Sequence, residues 1–305
     1  MTDEKLRENS TGSWPVVLRV AIWMIAAACG YAAMIGVVKH LSAEMDIYVV
    51  IFWRYFLALL VMTPWLLPSG GGVLKTQRLG LHIWRALLMV VHGGTLMLAI
   101  MLIPLAEATS LIFTSPLFAT VLAALFLHEV VGPRRWLALS VGFAGVLVIL
   151  RPGIVAFDLA SGLMLVSAFT GASVVVTGKV LLRSESSELT VFYLTLFSVP
   201  FALLPALYHW EWPSLEMLPW LIALALVGNV YIYGLTRALK VAETSMVMPF
   251  DFLRMPAAAV AGYILFAETI DLWSWVGAAI VFAATIYITQ YEMTAARKRP
   301  EPPTA

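Results

Sequence analysis

The run Ala106-Glu107-Ala108-Thr109-Ser110 recurs as Ala242-Glu243-Thr244-Ser245, and each copy leads into an apolar stretch with an internal proline, Pro116 or Pro256. The parallel continues downstream, where Leu127-His128-Glu129 with Trp136 seven residues later matches Phe266-Ala267-Glu268 with Trp275 seven residues later. This pattern predicts an internal duplication, with five-helix repeats over 14–150 and 155–291. Five is an odd number of membrane crossings, so the second repeat enters the bilayer upside down relative to the first, an inverted-topology arrangement.

The membrane assignment rests on composition and run length. Hydrophobic residues make up 61% of the 305-residue chain and charged residues 12%, against about 25% charged in soluble domains. The mean hydropathy is +0.91. Val20 to Val38 form 19 uncharged residues, which at ~1.5 Å rise per residue nearly match a hydrocarbon core of ~30 Å. Uncharged runs of the same order cover Ala108 to Leu127, Leu159 to Gly178, Leu189 to Tyr208, Met217 to Thr236 and Leu272 to Tyr291. Leu81 to Leu102, with Arg85 near its start and counted with the cytoplasmic cations, and Trp136 to Leu150 add two spans. Two more carry charge: Ile47 to Leu67 contains Arg54, and Thr244 to Ala267 contains Asp251 and Arg254. The expected fold is an all-α integral membrane protein of ten helices, with a short tail over 1–13 and a disordered, proline-rich tail over 292–305.

Charge sets the expected orientation. With the N-terminus inside, fifteen of the 19 Lys and Arg fall on the cytoplasmic side, Lys39 and Arg151 fall outside, and Arg54 and Arg254 lie within spans. That asymmetry follows the positive-inside rule, and an even number of spans puts both termini in the cytoplasm. A net charge of +1 offers no basic field for nucleic acid. The single cysteine, Cys29, excludes an intramolecular disulfide and reads as a small core residue.

The candidate chemistry sits mid-membrane. Asp251 and Arg254 stand at i, i+3, where a central charge costs roughly 2.5 to 3.5 kcal/mol on insertion scales, so both must face protein or a water-filled cavity. Arg254 suits a substrate carboxylate or phosphate, and Asp251 an amine or a proton; the alternative is a salt bridge that satisfies only itself. Pro249 and Pro256 flank the pair and predict a kinked helix with freed carbonyls. Arg54 reads either as an anion binder or as a structural donor to a neighbouring helix. His92, beside Gly93 and Gly94, reads as a core histidine or a proton relay. Asn229, Tyr231 and Tyr233 add polar and aromatic surface; the two tyrosines point to different helix faces, and Tyr233 with Asn229 is the candidate pair. Ser115 is a further candidate, although hydroxyls often bond to their own helix backbone. Glu107, Glu129, Glu243 and Glu268 stand at helix ends as capping carboxylates, with gating by Glu107 and Glu243 as the functional alternative.

Phe52-Trp53-Arg54-Tyr55, Arg85, Pro116, Glu129 and Gly142-Phe143-Ala144-Gly145, repeated through Pro249, Pro256, Glu268 and Trp275, resemble an EamA-type unit of the drug/metabolite transporter superfamily. One departure is that His128 and Ala267 precede the closing glutamates, where the family commonly has glycine. The resemblance implies ten helices around a central cavity in a bacterial inner membrane, and a small-molecule substrate moved by alternating access. Riboflavin or S-adenosylmethionine uptake and metallophore export are among the activities it implies; the paired charges and aromatics suit a small polar or zwitterionic metabolite such as an amino acid. No Walker motif, G-x-S-x-G or H-E-x-x-H is present, so a gradient-driven carrier without cofactor or metal is expected rather than an intramembrane enzyme. Its partners are substrate and the lipid bilayer, as a monomer or a homodimer.

Overall fold

The structure, a computed structural model, describes residues 16–66, 76–100, 102, 111–150, 159–266 and 272–298, which form helices and turns with no strand among them. The first repeat contributes α1 (Val16–Leu41), α2 (Ile47–Leu66), α3 (Leu79–Ile100), α4 (Ser115–Leu127) and α5 (Pro133–Leu150). The second contributes α6 (Leu159–Leu182), α7 (Ser187–Ala206), α8 (Leu218–Val241), α9 (Thr244–Asp251), α10 (Arg254–Phe266) and α11 (Leu272–Lys298). Helices α9 and α10 together make the ninth span. Among the described residues, five helices are long and apolar enough to cross a bilayer unaided, α1, α3, α6, α7 and α8.

The chain builds its repeats against each other rather than within themselves. Helix α1 packs on α8, and α6 packs correspondingly on α3. The same exchange relates α1 on α10 to α6 on α4, and α3 on α7 to α8 on α2, while α2 meets α7 and α5 meets α11 across the pseudo-symmetry axis. Two inverted five-helix repeats are thus interlocked. Small residues permit the tightest crossing: a Cβ on Gly30 of α1 would lie 2.9 Å from the Tyr231 backbone nitrogen, and one on Gly234 of α8 would lie 2.8 Å from the Trp23 carbonyl oxygen. That stripe turns Cys29 outward, so it is exposed rather than a core residue.

Span nine is broken, not kinked. Proline lacks an N–H, so Pro249 leaves the Ser245 carbonyl without its helical donor and Pro256 does the same to Phe252. The chain closes the gap with tight turns, Leu253 N–H donating to Phe250 O at 3.1 Å and Met255 N–H to Phe252 O at 3.1 Å. Span four has the same device: Leu111 and Ile112 are helical, Phe113 and Thr114 turn, and the helix resumes at Ser115 with Pro116 in its first turn. Phe252, at the break, packs its ring so close to α5 that a Cβ on Gly142 would be 2.6 Å from it.

At the C-terminus the helix runs on to Lys298, so the segment from 292 expected to be disordered is helical that far. The alanines at 295 and 296 are strong helix formers, which favours this extension.

Candidate functional site

Between the repeats lies a cavity of about 510 Å³, within the range of small-molecule sites. Its walls are mostly apolar, with aromatic faces from Tyr31, Tyr55, Phe113 and Tyr231. Both helix breaks reach it, through Phe113 and Ser115 on one side and Asp251 and Arg254 on the other. Interrupted helices at the middle of a bundle are the usual way for a membrane protein to present backbone and charge to a small ligand.

Asp251 ends α9 and Arg254 begins α10, so the pair spans the break instead of sharing one continuous helix face. An Arg254 terminal nitrogen donates to Asp251 Oδ2, and Nε donates to the Asp251 carbonyl at 3.2 Å. The other terminal nitrogen donates to the Tyr231 hydroxyl at 3.0 Å, and the guanidinium carbon lies 4.8 Å from the centre of the Tyr31 ring. Asp251 is 6% exposed, and its Oδ1 is buried with no hydrogen-bond partner among the described residues. A buried carboxylate oxygen without a donor is under-satisfied, and it is a ready acceptor for any donor that reaches it.

Three more nitrogen-bearing side chains project from the first repeat onto glycines of the second. A Cβ on Gly228 would lie 2.8 Å from Arg54 Nε, one on Gly178 would lie 2.8 Å from an Arg85 terminal nitrogen, and one on Gly171 would lie 3.0 Å from His92 Nδ1. Arg85 is 3% exposed, and it donates to the carbonyls of Val174 at 3.0 Å and Thr190 at 3.2 Å. His92 Nδ1 lies 2.8 Å from the Ser167 carbonyl and 3.0 Å from Ser167 Oγ, which ties α3 to α6. Arg54 carries its guanidinium 5.0 Å from the centre of the Tyr55 ring.

Of the expected site residues, Asp251, Arg254, His92, Ser115 and Arg54 converge on the cavity. Tyr233 and Asn229 do not line it. Tyr233 donates to Glu188 Oε1 at 2.6 Å and packs edge-on against Trp23, while Asn229 donates to the Ala58 carbonyl at 3.5 Å. The reason is helical phase: residues two apart lie on nearly opposite faces, and packing against α1 turns Tyr231 inward. Arg85, read as a cytoplasmic flank, is instead a cavity residue; its place a turn and a half inside α3 was the available signal. Tyr31 was missed, and Tyr55 stood out only as part of the Phe52-Trp53-Arg54-Tyr55 run, since a tyrosine in an apolar helix does not by itself mark a cavity.

The helix-end carboxylates act between repeats. Glu129 accepts from the backbone N–H groups of Thr244 at 2.8 Å and Ser245 at 2.9 Å, which caps α9 from the other repeat. Arg135 pairs with Glu243 and donates to Ser245 Oγ at 3.0 Å. Lys179 donates to the Leu239 carbonyl at 2.5 Å and also to that of Ala242. His82 and Thr76 both meet the Glu185 carboxylate, at 2.7 and 2.5 Å. These contacts form a polar latch at one end of the bundle. Glu107 and Glu268 lie outside the described residues.

The EamA-like transporter family model matches residues 18–151 and 159–290. The chain is similar to a riboflavin transporter of Vibrio cholerae serotype O1, 33% identical over 92% of this chain and 96% of that protein. It is also similar to an S-adenosylmethionine uptake transporter of Rickettsia bellii, 27% identical over 91% and 95%. A solved crystal structure superposes with a TM-score of 0.77 at 14% identity, covering 90% of this chain and 98% of that one, which shows a shared fold. Two matched repeats that span nearly the whole chain, and the interlocked architecture built from them, place this chain in the EamA-like transporter family.

Proposed function

We propose that this chain imports a planar, ring-bearing metabolite of the flavin type across the bacterial inner membrane. It works by alternating access, with the Glu129–Arg135–Glu243 latch as the cytoplasmic gate. The observation that carries the reading is the cavity between the repeats, whose tyrosine and phenylalanine faces offer stacking surfaces while Arg254 and Asp251 offer a donor and an acceptor at one edge. A fused heteroaromatic ring system presents both, an apolar face and a hydrogen-bonding rim. The riboflavin transporter named above supports the same substrate class. The distribution of Lys and Arg supports cytoplasmic termini and the latch on that side.

A small zwitterion such as an amino acid is the second reading, favoured by the presence of both an acid and a base. In the structure these two charges satisfy each other, so a zwitterion would have to part them. The test is uptake of labelled riboflavin into proteoliposomes, with and without an imposed pH gradient, against excess unlabelled amino acids and S-adenosylmethionine. Saturable riboflavin uptake that responds to the gradient and resists amino-acid competition supports the proposal. Folded protein that takes up an amino acid and not riboflavin overturns it.

A further inference from the structure

The formal charges that face the cavity do not cancel. Among the described lining residues Asp251 is the single acid, and it is spent on Arg254. Arg54 and Arg85 face the same space with no carboxylate in ion-pair distance among the described residues. Arg85 has at least two backbone carbonyls as hydrogen-bond acceptors, which satisfy N–H groups without supplying a negative charge. Arg54 is held by the Tyr55 ring and by the flat backbone at Gly228, contacts that orient a guanidinium and leave its N–H fork uncommitted among the described residues. An arginine kept inside a membrane bundle with neither counterion nor carbonyl acceptor among its described neighbours points to a ligand that completes it.

We propose that Arg54 is an anion subsite of the cavity. It receives either a negatively charged group of the substrate itself or a small inorganic anion that enters with a neutral substrate, and Arg85 adds positive potential from the latch end. A planar guanidinium suits a carboxylate, phosphate or sulfate oxygen pair. The same uncompensated charge disfavours a cationic metabolite that carries no anionic group of its own. The inference rests on the transport reading above and narrows its substrate class.

The test uses the purified full chain and begins with inorganic anions alone, before any substrate is added. Thermal melting is followed while sulfate or chloride replaces gluconate at constant ionic strength, in wild type, Arg54→Gln and Arg54→Lys. The expected result is a saturable rise in melting temperature for wild type, smaller for Arg54→Lys and absent for Arg54→Gln. Uptake in proteoliposomes then separates the sources. If the substrate supplies the anion, riboflavin 5′-phosphate competes with riboflavin at least fivefold better in wild type than in Arg54→Gln, and chloride is indifferent. If an inorganic anion is co-bound, riboflavin uptake falls at least fivefold in gluconate and that dependence vanishes in Arg54→Gln. Anion stabilisation equal in wild type and Arg54→Gln overturns the subsite. Anion stabilisation through Arg54 without flavin uptake sinks the flavin reading and leaves the subsite standing.

Discussion

Asp251 and Arg254 are buried together across a break in the chain, and each makes the other tolerable. Removing one partner of a buried pair leaves the other charged without compensation, at a cost of roughly 3 to 5 kcal/mol, whereas removing both is often nearly neutral. Asp251→Asn is therefore expected to lower the melting temperature sharply, and Asp251→Asn with Arg254→Gln to recover most of that loss while transport stays abolished. Melting curves and uptake on the two variants check this; equal stability of wild type and Asp251→Asn would mean that the carboxylate is already neutral in the fold. The same scale shows where sequence reading stops. Charges within apolar spans were legible because their burial is expensive, and so Arg54, Asp251 and Arg254 stood out. Tyr231 and Tyr233 were not distinguishable, because the choice between opposite helix faces is made by which neighbour each face meets.

At the scale of elements, α9 has eight residues, too few to persist on propensity alone. Its N-terminus is stabilised instead by Glu129, whose two oxygens take the Thr244 and Ser245 N–H groups. Glu129→Ala should cost about 1 to 2 kcal/mol, from a lost cap together with a lost charge at the positive helix end. Because the cap joins the repeats, the loss should also shift the carrier toward the latch-open state, read as increased thiol labelling of a cysteine introduced at Thr236; unchanged labelling would separate the latch from gating. One position earlier, His128 closes α4 with φ 55° and ψ 36°, the left-handed region. A side chain there is strained by ~1 to 2 kcal/mol, part of which glycine returns in chain entropy. His128→Gly is thus expected to stabilise the protein by roughly 0.5 to 1 kcal/mol, seen as a melting temperature a few degrees higher with transport unchanged. That is the physical meaning of the departure from glycine noted in the sequence.

At the scale of the molecule, the principal interfaces pair a helix of one repeat with a helix of the other. Neither repeat should hold its fold alone. Residues 1–155 and 156–305 expressed separately are expected to aggregate or be degraded, and expressed together to co-purify and restore uptake; a stable, monomeric half would contradict the interlocked arrangement. The order of residues was enough for the all-helical membrane class, the ten spans and the inverted duplication, since hydrophobic run length and motif recurrence are properties of the chain read end to end. It also exposed the charges that a bilayer makes costly. Folding was needed to establish that span nine breaks instead of bending, that Arg85 lines the cavity, and that Glu129 caps a helix of the opposite repeat. It also turned Tyr231 inward. Those outcomes depend on contacts between residues distant in the chain, more than a hundred positions apart for Glu129 and Thr244, and such contacts leave no local pattern to read.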